Sequence, residues 1–93
     1  MDLSLIPKLR RRACRAQDGL CFYCRLQMTN PTAEHLIPRQ HGGPTTASNI
    51  VAACRRCNER RHADPRCRPM TVDEYATLVL LEHQAGISAS TTG

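Results

Sequence analysis

Tryptophan is missing from this chain, phenylalanine occurs once and tyrosine twice among 93 residues. Large core fillers are therefore scarce. A chain of this length makes one small domain, which buries a limited fraction of its surface and commonly needs a metal or disulfide staple. No apolar run approaches the roughly 20 residues of a membrane-spanning helix, so no membrane partner is expected. The N-terminal stretch MDLSLIPKLRRR lacks the apolar core of a secretory signal, and its charge follows the apolar residues instead of preceding them. The expected compartment is the cytoplasm, of a bacterial or phage-infected cell, where reducing conditions favour metal over disulfides. No internal repeat is visible. Lysine occurs once, so 12 of the 13 basic residues are arginine, and none lies beyond Arg68. Residues 1–68 carry 13 basic and 5 acidic groups, whereas residues 69–93 carry 3 acidic groups alone. Arginine presents a planar fork suited to phosphate, and a clustered basic surface attracts nucleic acid irrespective of sequence.

Cysteine is the exception to this scarcity. Cys21/Cys24 and Cys54/Cys57 form two Cys-x-x-Cys pairs separated by 29 residues. Each such turn brings two sulfurs to one side of a tetrahedron, and the second pair completes it, which predicts a structural Zn²⁺ site. The alternative of a redox pair needs one motif in a βαβ context, which the pattern lacks. Cys14 and Cys67 are left over, as bystander thiols, a substitute ligand or a disulfide with each other.

Apolar residues at Ile6, Leu9, Ala13, Ala16 and Leu20 predict a helix over about Pro7–Asp18, closed by Gly19. Lys8, Arg11, Arg12 and Arg15 form its other face, to lie along a phosphate backbone or in solvent. A strand is expected over Ala33–Pro38, a loop over Arg39–Ser48, a second apolar segment over Asn49–Ala53 and a helix from Asn58 to Ala63. Thr71-Val72-Asp73-Glu74 is a capping box for a last helix reaching Gln84, with Val72, Tyr75, Ala76, Val79 and Leu80 inward and Gly86 as its stop. Residues 86–93 read as a disordered tail. Gly42 and Gly43 are expected to serve a turn with positive φ.

Between the cysteine pairs the order is acidic-His-x-x-Pro (Glu34 to Pro38), Gly42-Gly43, Asn49-Ile50-Val51, then Cys54-x-x-Cys57-Asn58. This combination, over about residues 17–62, resembles the HNH endonucleases of the zinc-knuckle type. The resemblance implies a small α+β domain over residues 1–85. Its centre would be a ββα-metal (His-Me finger) core with a structural zinc knuckle, flanked by an N-terminal and a C-terminal helix. It also implies hydrolysis of nucleic-acid phosphodiesters, with DNA as the expected substrate. In that reading His35 is the general base, and Glu34 and Asn58 hold a catalytic Mg²⁺ or Mn²⁺, hard ions suited to oxygen donors. Asn49 holds the loop that orients His35, and Arg61 contacts phosphate. Arg11, Arg12, Arg15, Arg55, Arg56 and Arg60 would add grip on the backbone. His62 is an extra ligand, a phosphate contact or solvent-exposed, and His41 is a possible substrate contact. Two departures stand out: Glu34 where aspartate is more familiar, and Asn58, rather than His, as the final motif residue.

Each residue also has a structural reading: Glu34 as a surface carboxylate, His35 as a core histidine, Asn49 and Asn58 as helix caps. Adjacent side chains on a regular strand point to opposite faces, so Glu34 and His35 can serve one site only at an irregular position. Three functions compete. The first is a metal-dependent endonuclease. The second is a non-catalytic zinc module that binds nucleic acid. The third is a subunit of a larger assembly, such as a phage packaging complex. A monomer or weak dimer is expected, and a monomeric site naturally nicks one strand.

Overall fold

The computed structural model describes residues 4–85. The expected tail and the Gly86 stop lie outside these residues. Helix α1 covers Leu5–Ala16, strand β1 Pro31–His35, strand β2 Ile50–Cys54, helix α2 Arg55–Ala63 and helix α3 Val72–Gln84. A single 3₁₀ turn, Arg39–His41, interrupts the long loop.

Helix α1 places Pro7 in its first turn, where the missing N–H costs nothing. Its end differs from the expected one. Asp18, at φ 55°, is the left-handed residue just past the helix, and Gly19 follows at φ 75°. Gly19 N donates to Cys14 O at 2.8 Å and Asp18 N to Arg15 O at 3.2 Å, the paired bonds of a Schellman stop.

The two strands form one antiparallel hairpin, with Ala33 opposite Ala52, Glu34 opposite Val51 and His35 opposite Ile50. β1 ends at His35, three residues before the expected limit. The reason is Asn49, whose Oδ1 accepts from Ile37 N at 2.9 Å and whose Nδ2 donates to Ile37 O at 3.0 Å. Both backbone groups of Ile37 are thereby taken by a side chain, and the chain leaves the ladder. On β2, the Gln17 side chain plays the part of a strand: Oε1 accepts from Ala52 N at 2.9 Å and Nε2 donates to Ala52 O at 2.8 Å. The end of α1 is thus locked to the hairpin.

Helix α2 begins three residues before Asn58, inside the second cysteine turn. Cys54 is its N-cap, and its Sγ accepts from Cys57 N at 3.4 Å. Helix α3 has the expected capping box, with Glu74 N donating to Thr71 Oγ1 and Thr71 N to Glu74 Oε1. The core on which α3 packs is built around both tyrosines. Tyr23 and Tyr75 are fully buried, with ring centroids 4.9 Å apart in an edge-to-face pair. Tyr75 Oη donates to Cys57 O at 2.7 Å. Two tyrosines, each with a partner for its hydroxyl, do what bulkier aromatics would do elsewhere. Among the described residues no helix is long and apolar enough to cross a membrane.

Candidate metal centre and active site

Cys21 and Cys24 leave a tight turn, Cys54 ends β2 and Cys57 lies in the first turn of α2. Their four sulfurs all lie within 4.8 Å of one another. A zinc–thiolate tetrahedron with bonds of about 2.3 Å has sulfur–sulfur edges of about 3.8 Å, so the group fits Zn²⁺ with small adjustments. Backbone amides already face these sulfurs: Tyr23 N and Cys54 N donate to Cys21 Sγ at 3.4 and 3.3 Å. The neighbouring Cys57 side chain holds the Cys21 thiol well below its ordinary range, and Cys21 in turn pushes Cys57 above it. Cys67 is buried in the same core but is not one of this group, and Cys14 and Cys67 are both free thiols. The disulfide considered for them is absent.

Glu34 is 2% exposed, and three side chains hold its carboxylate. Tyr23 Oη donates to Oε2 at 2.9 Å, and the Arg61 guanidinium pairs with the same oxygen. His62 Nε2 lies 2.9 Å from Oε1. Arg61 also donates to Leu36 O and His35 O, at 3.1 and 3.3 Å. The expected phosphate contact by Arg61 is therefore corrected: it is 6% exposed and engaged on interior groups. Burial raises the Tyr23 hydroxyl's pKa far above its usual range, and the Glu34 charge adds to this, so Tyr23 is a permanent donor here. Neither Tyr23 nor this use of Arg61 was anticipated. The available signal was spacing: Asn58, Arg61 and His62 recur at three and four residues, which places all three on one helix face.

That face lies against β1. Asn58 Nδ2 donates to Thr32 Oγ1 at 2.9 Å, and its Oδ1 has no partner among the described residues. Thr32 and Glu34 alternate along β1 and both meet α2. His35 points the other way, its Nε2 lying 3.0 Å from Thr45 Oγ1. It occupies the last position of β1, where the ladder gives way to the Asn49-bound loop. Burial lowers the pKa of His35 below the usual imidazole value, and the nearby Arg39 charge lowers it further. Asn49 is buried, and besides Ile37 it holds the loop through Nδ2 to Pro44 O at 2.9 Å. Thr45 follows directly, so Asn49 reaches His35 through that residue.

A cleft of about 340 Å³ is lined by Pro38, His41, Arg61, His62 and Arg68 among others, and two of these, Arg61 and His62, hold the Glu34 carboxylate. His62 is 46% exposed on its side chain and His41 is also exposed. Gly42 has the expected positive φ of 82°. Gly43 does not; its need is proximity, because a Cβ there would sit 1.6 Å from Ile37 O.

The basic residues separate into two classes. Arg11, Arg12, Arg15, Arg55 and Arg56 are exposed, although Arg55 also lies 3.6 Å from Glu59. Arg60 is instead tied to α3, with two bonds of 2.6 and 2.8 Å to the Glu82 carboxylate. That pairing lowers the Glu82 pKa and raises that of Arg60. The grip expected of Arg60 gives way to a helix–helix clamp.

The family model described as "HNH endonuclease" matches residues 21–69. A segment of 59 residues is 36% identical to the "CRISPR-associated endonuclease Cas9" of Corynebacterium diphtheriae. This segment is 60% of the present chain and 5% of that protein, so the likeness concerns a small part of a much longer relative.

Proposed function

As the chain belongs to the HNH endonuclease family, we propose that it is a metal-dependent nuclease that hydrolyses DNA phosphodiester bonds. The observation that supports the reading is that β1 carries Glu34 and His35 side by side while α2 lays Asn58 along the same strand, with His62 joining the Glu34 carboxylate to an open cleft. Glu34 Oε1 and Asn58 Oδ1 are hard oxygen donors and fit a cation of the Mg²⁺ or Mn²⁺ kind. Such a cation would supply Lewis-acid stabilisation of charge developing on the phosphate. The Arg61 charge against the same carboxylate opposes it electrostatically and predicts weak cation binding.

His35 accepts the proton of the attacking water. Its lowered pKa keeps the imidazole neutral at physiological pH. Thr45 and, behind it, Asn49 fix where the ring stands. Arg61 and Tyr23 keep Glu34 from turning inward or changing rotamer. The cysteine group, with Zn²⁺, joins the first knuckle to β2 and α2 and so sets the position of Asn58.

A second reading, a zinc module that binds nucleic acid without cutting it, has one observation in its favour. The Glu34 carboxylate already has three partners, as a purely structural buried charge would. Plasmid cleavage separates the two. Supercoiled DNA is incubated with zinc-loaded protein and Mg²⁺, Mn²⁺ or EDTA, with His35→Ala prepared alongside. Open circles that need the cation and His35 are the expected result. Equal background in both proteins would leave the binding module.

A further inference from the structure

The geometry points to a phosphodiester-backbone site in the groove between α1 and the start of β1, formed by Arg10, Arg11 and Arg15 and not by Arg12. The groove, of about 510 Å³, is lined by these three arginines with Cys14, Asn30 and Pro31. Positions 10, 11, 14 and 15 lie along one side of a helix. Arg12 turns to the other flank, where it borders a largely apolar depression with Leu9, Ala16 and Ile50. The basic residues of α1 are thus two sets, and Arg10 belongs to the one that faces the groove.

Among the described residues no carboxylate pairs with Arg10, Arg11 or Arg15. Three guanidinium groups around one open groove repel one another and attract an anion. The groove shares Asn30 and Pro31 with a trough of about 580 Å³ that Arg55 also lines. The positive groups therefore follow a track instead of converging on a point, which suits a chain of phosphates better than one free phosphate. Pro31 and His35 are the two ends of β1. Four strand steps span roughly 13 Å, and a nucleic-acid duplex rises about 3.4 Å per nucleotide of each strand. On the nuclease reading, a duplex lying with its axis along β1 would meet the groove roughly four nucleotides from the phosphate at His35. That register rests on the nuclease reading, whereas binding in the groove does not.

The test uses the full chain, zinc-loaded and carrying His35→Ala so that DNA stays intact. Its affinity for a short duplex is measured against salt concentration. Each lost phosphate contact lowers the slope of log K against log salt by about 0.9. The combined Arg10→Gln, Arg11→Gln and Arg15→Gln variant is expected to lose about 2.7, and Arg12→Gln to lose nothing measurable. Cys14 supplies a readout with the arginines untouched: saturating duplex should slow its maleimide labelling at least tenfold. Equal slopes for the Arg12 and groove variants would overturn the site, and so would unprotected Cys14 on saturated protein. Equal protection by a polyglutamate peptide would assign the groove to acidic protein and overturn it too. A protein that binds in this way but never cuts plasmid defeats the nuclease reading and leaves the groove standing. One that cuts while Cys14 stays labelled defeats the groove alone.

Discussion

Thr45 Oγ1 and His35 Nε2 lie 3.0 Å apart, joining the last residue of β1 to the loop that Asn49 holds. A hydroxyl can accept from the ring or donate to it, so this contact holds the imidazole in place through either neutral tautomer. Thr45→Val keeps the shape and removes the contact. It is expected to lower kcat by about tenfold with little change in KM, and Thr45→Ser is expected to restore it; removing the base itself, as in His35→Ala, should cost about 10²–10⁴. Steady-state cleavage of a labelled duplex gives both constants.

The pH dependence follows from the lowered pKa of His35. The neutral ring is the base, so the rate is lost as pH falls through that lowered value. The acid limb should therefore lie below 6.5, the ordinary imidazole value. Arg39 contributes to the lowering, so Arg39→Gln should move the limb upward. Stability runs the same way. Between the folded pKa and 6.5 the unfolded chain binds the proton and the folded one does not, so stability rises with pH across that window. A pH–rate profile of kcat/KM for both proteins decides this, and an unmoved limb in Arg39→Gln would count against it.

Removing one partner of the Glu34–Arg61 pair leaves a buried charge without compensation. Arg61→Met should cost about 3–5 kcal/mol. Tyr23→Phe, which removes one neutral donor from the same carboxylate, should cost about 1–2 kcal/mol. Adding Glu34→Gln to Arg61→Met should recover part of the loss, because the charge that lacked a partner is gone. Urea denaturation of the set provides the numbers, and a double variant weaker than Arg61→Met alone would contradict the account.

Zinc removal tests the cysteine centre. Structural zinc contributes about 10–16 kcal/mol of apparent binding energy, comparable with the whole stability of a small domain, about 5–15 kcal/mol. A strong chelator should therefore unfold the chain, read as loss of helical circular dichroism. Elemental analysis should find one zinc per chain. Cys57→Ser should lose it, while Cys67→Ala should keep it, because Cys67 is outside the group of four.

The capping box of α3, the helical face of α1 and the cluster of four cysteines were legible because each depends on residues near in sequence or on a spacing with one chemical meaning. The ion pair at Glu34 was not. Arg61 looked like a surface cation on a basic helix, and only the approach of α2 to β1 turns its guanidinium inward. The early end of β1 was hidden for a related reason. Leu36 and Ile37 carry strand propensity, but a side chain 12 residues further on takes the Ile37 backbone from the ladder. Arg60 could not be told from Arg55 by sequence either, since Glu82 reaches it from α3. Tertiary partners decided all three.

Gly42 and Gly43 look alike in sequence and should respond differently. At Gly42 a Cβ would meet nothing within 4 Å, and the penalty of Gly42→Ala is the left-handed backbone alone, about 1 kcal/mol. At Gly43 the Cβ would lie 1.6 Å from Ile37 O and 3.0 Å from Asn49 Nδ2, so the backbone itself must move. The groups displaced are the acceptor and donor of the Asn49–Ile37 bond, and the loop that Asn49 steadies carries Thr45 to His35. Gly43→Ala should therefore lower kcat as well as the melting temperature, whereas Gly42→Ala should lower the melting temperature slightly and leave kcat close to its original value. Melting curves and cleavage rates on the same samples test this. Equal kcat in both variants would mean that the loop does not transmit its position to the imidazole.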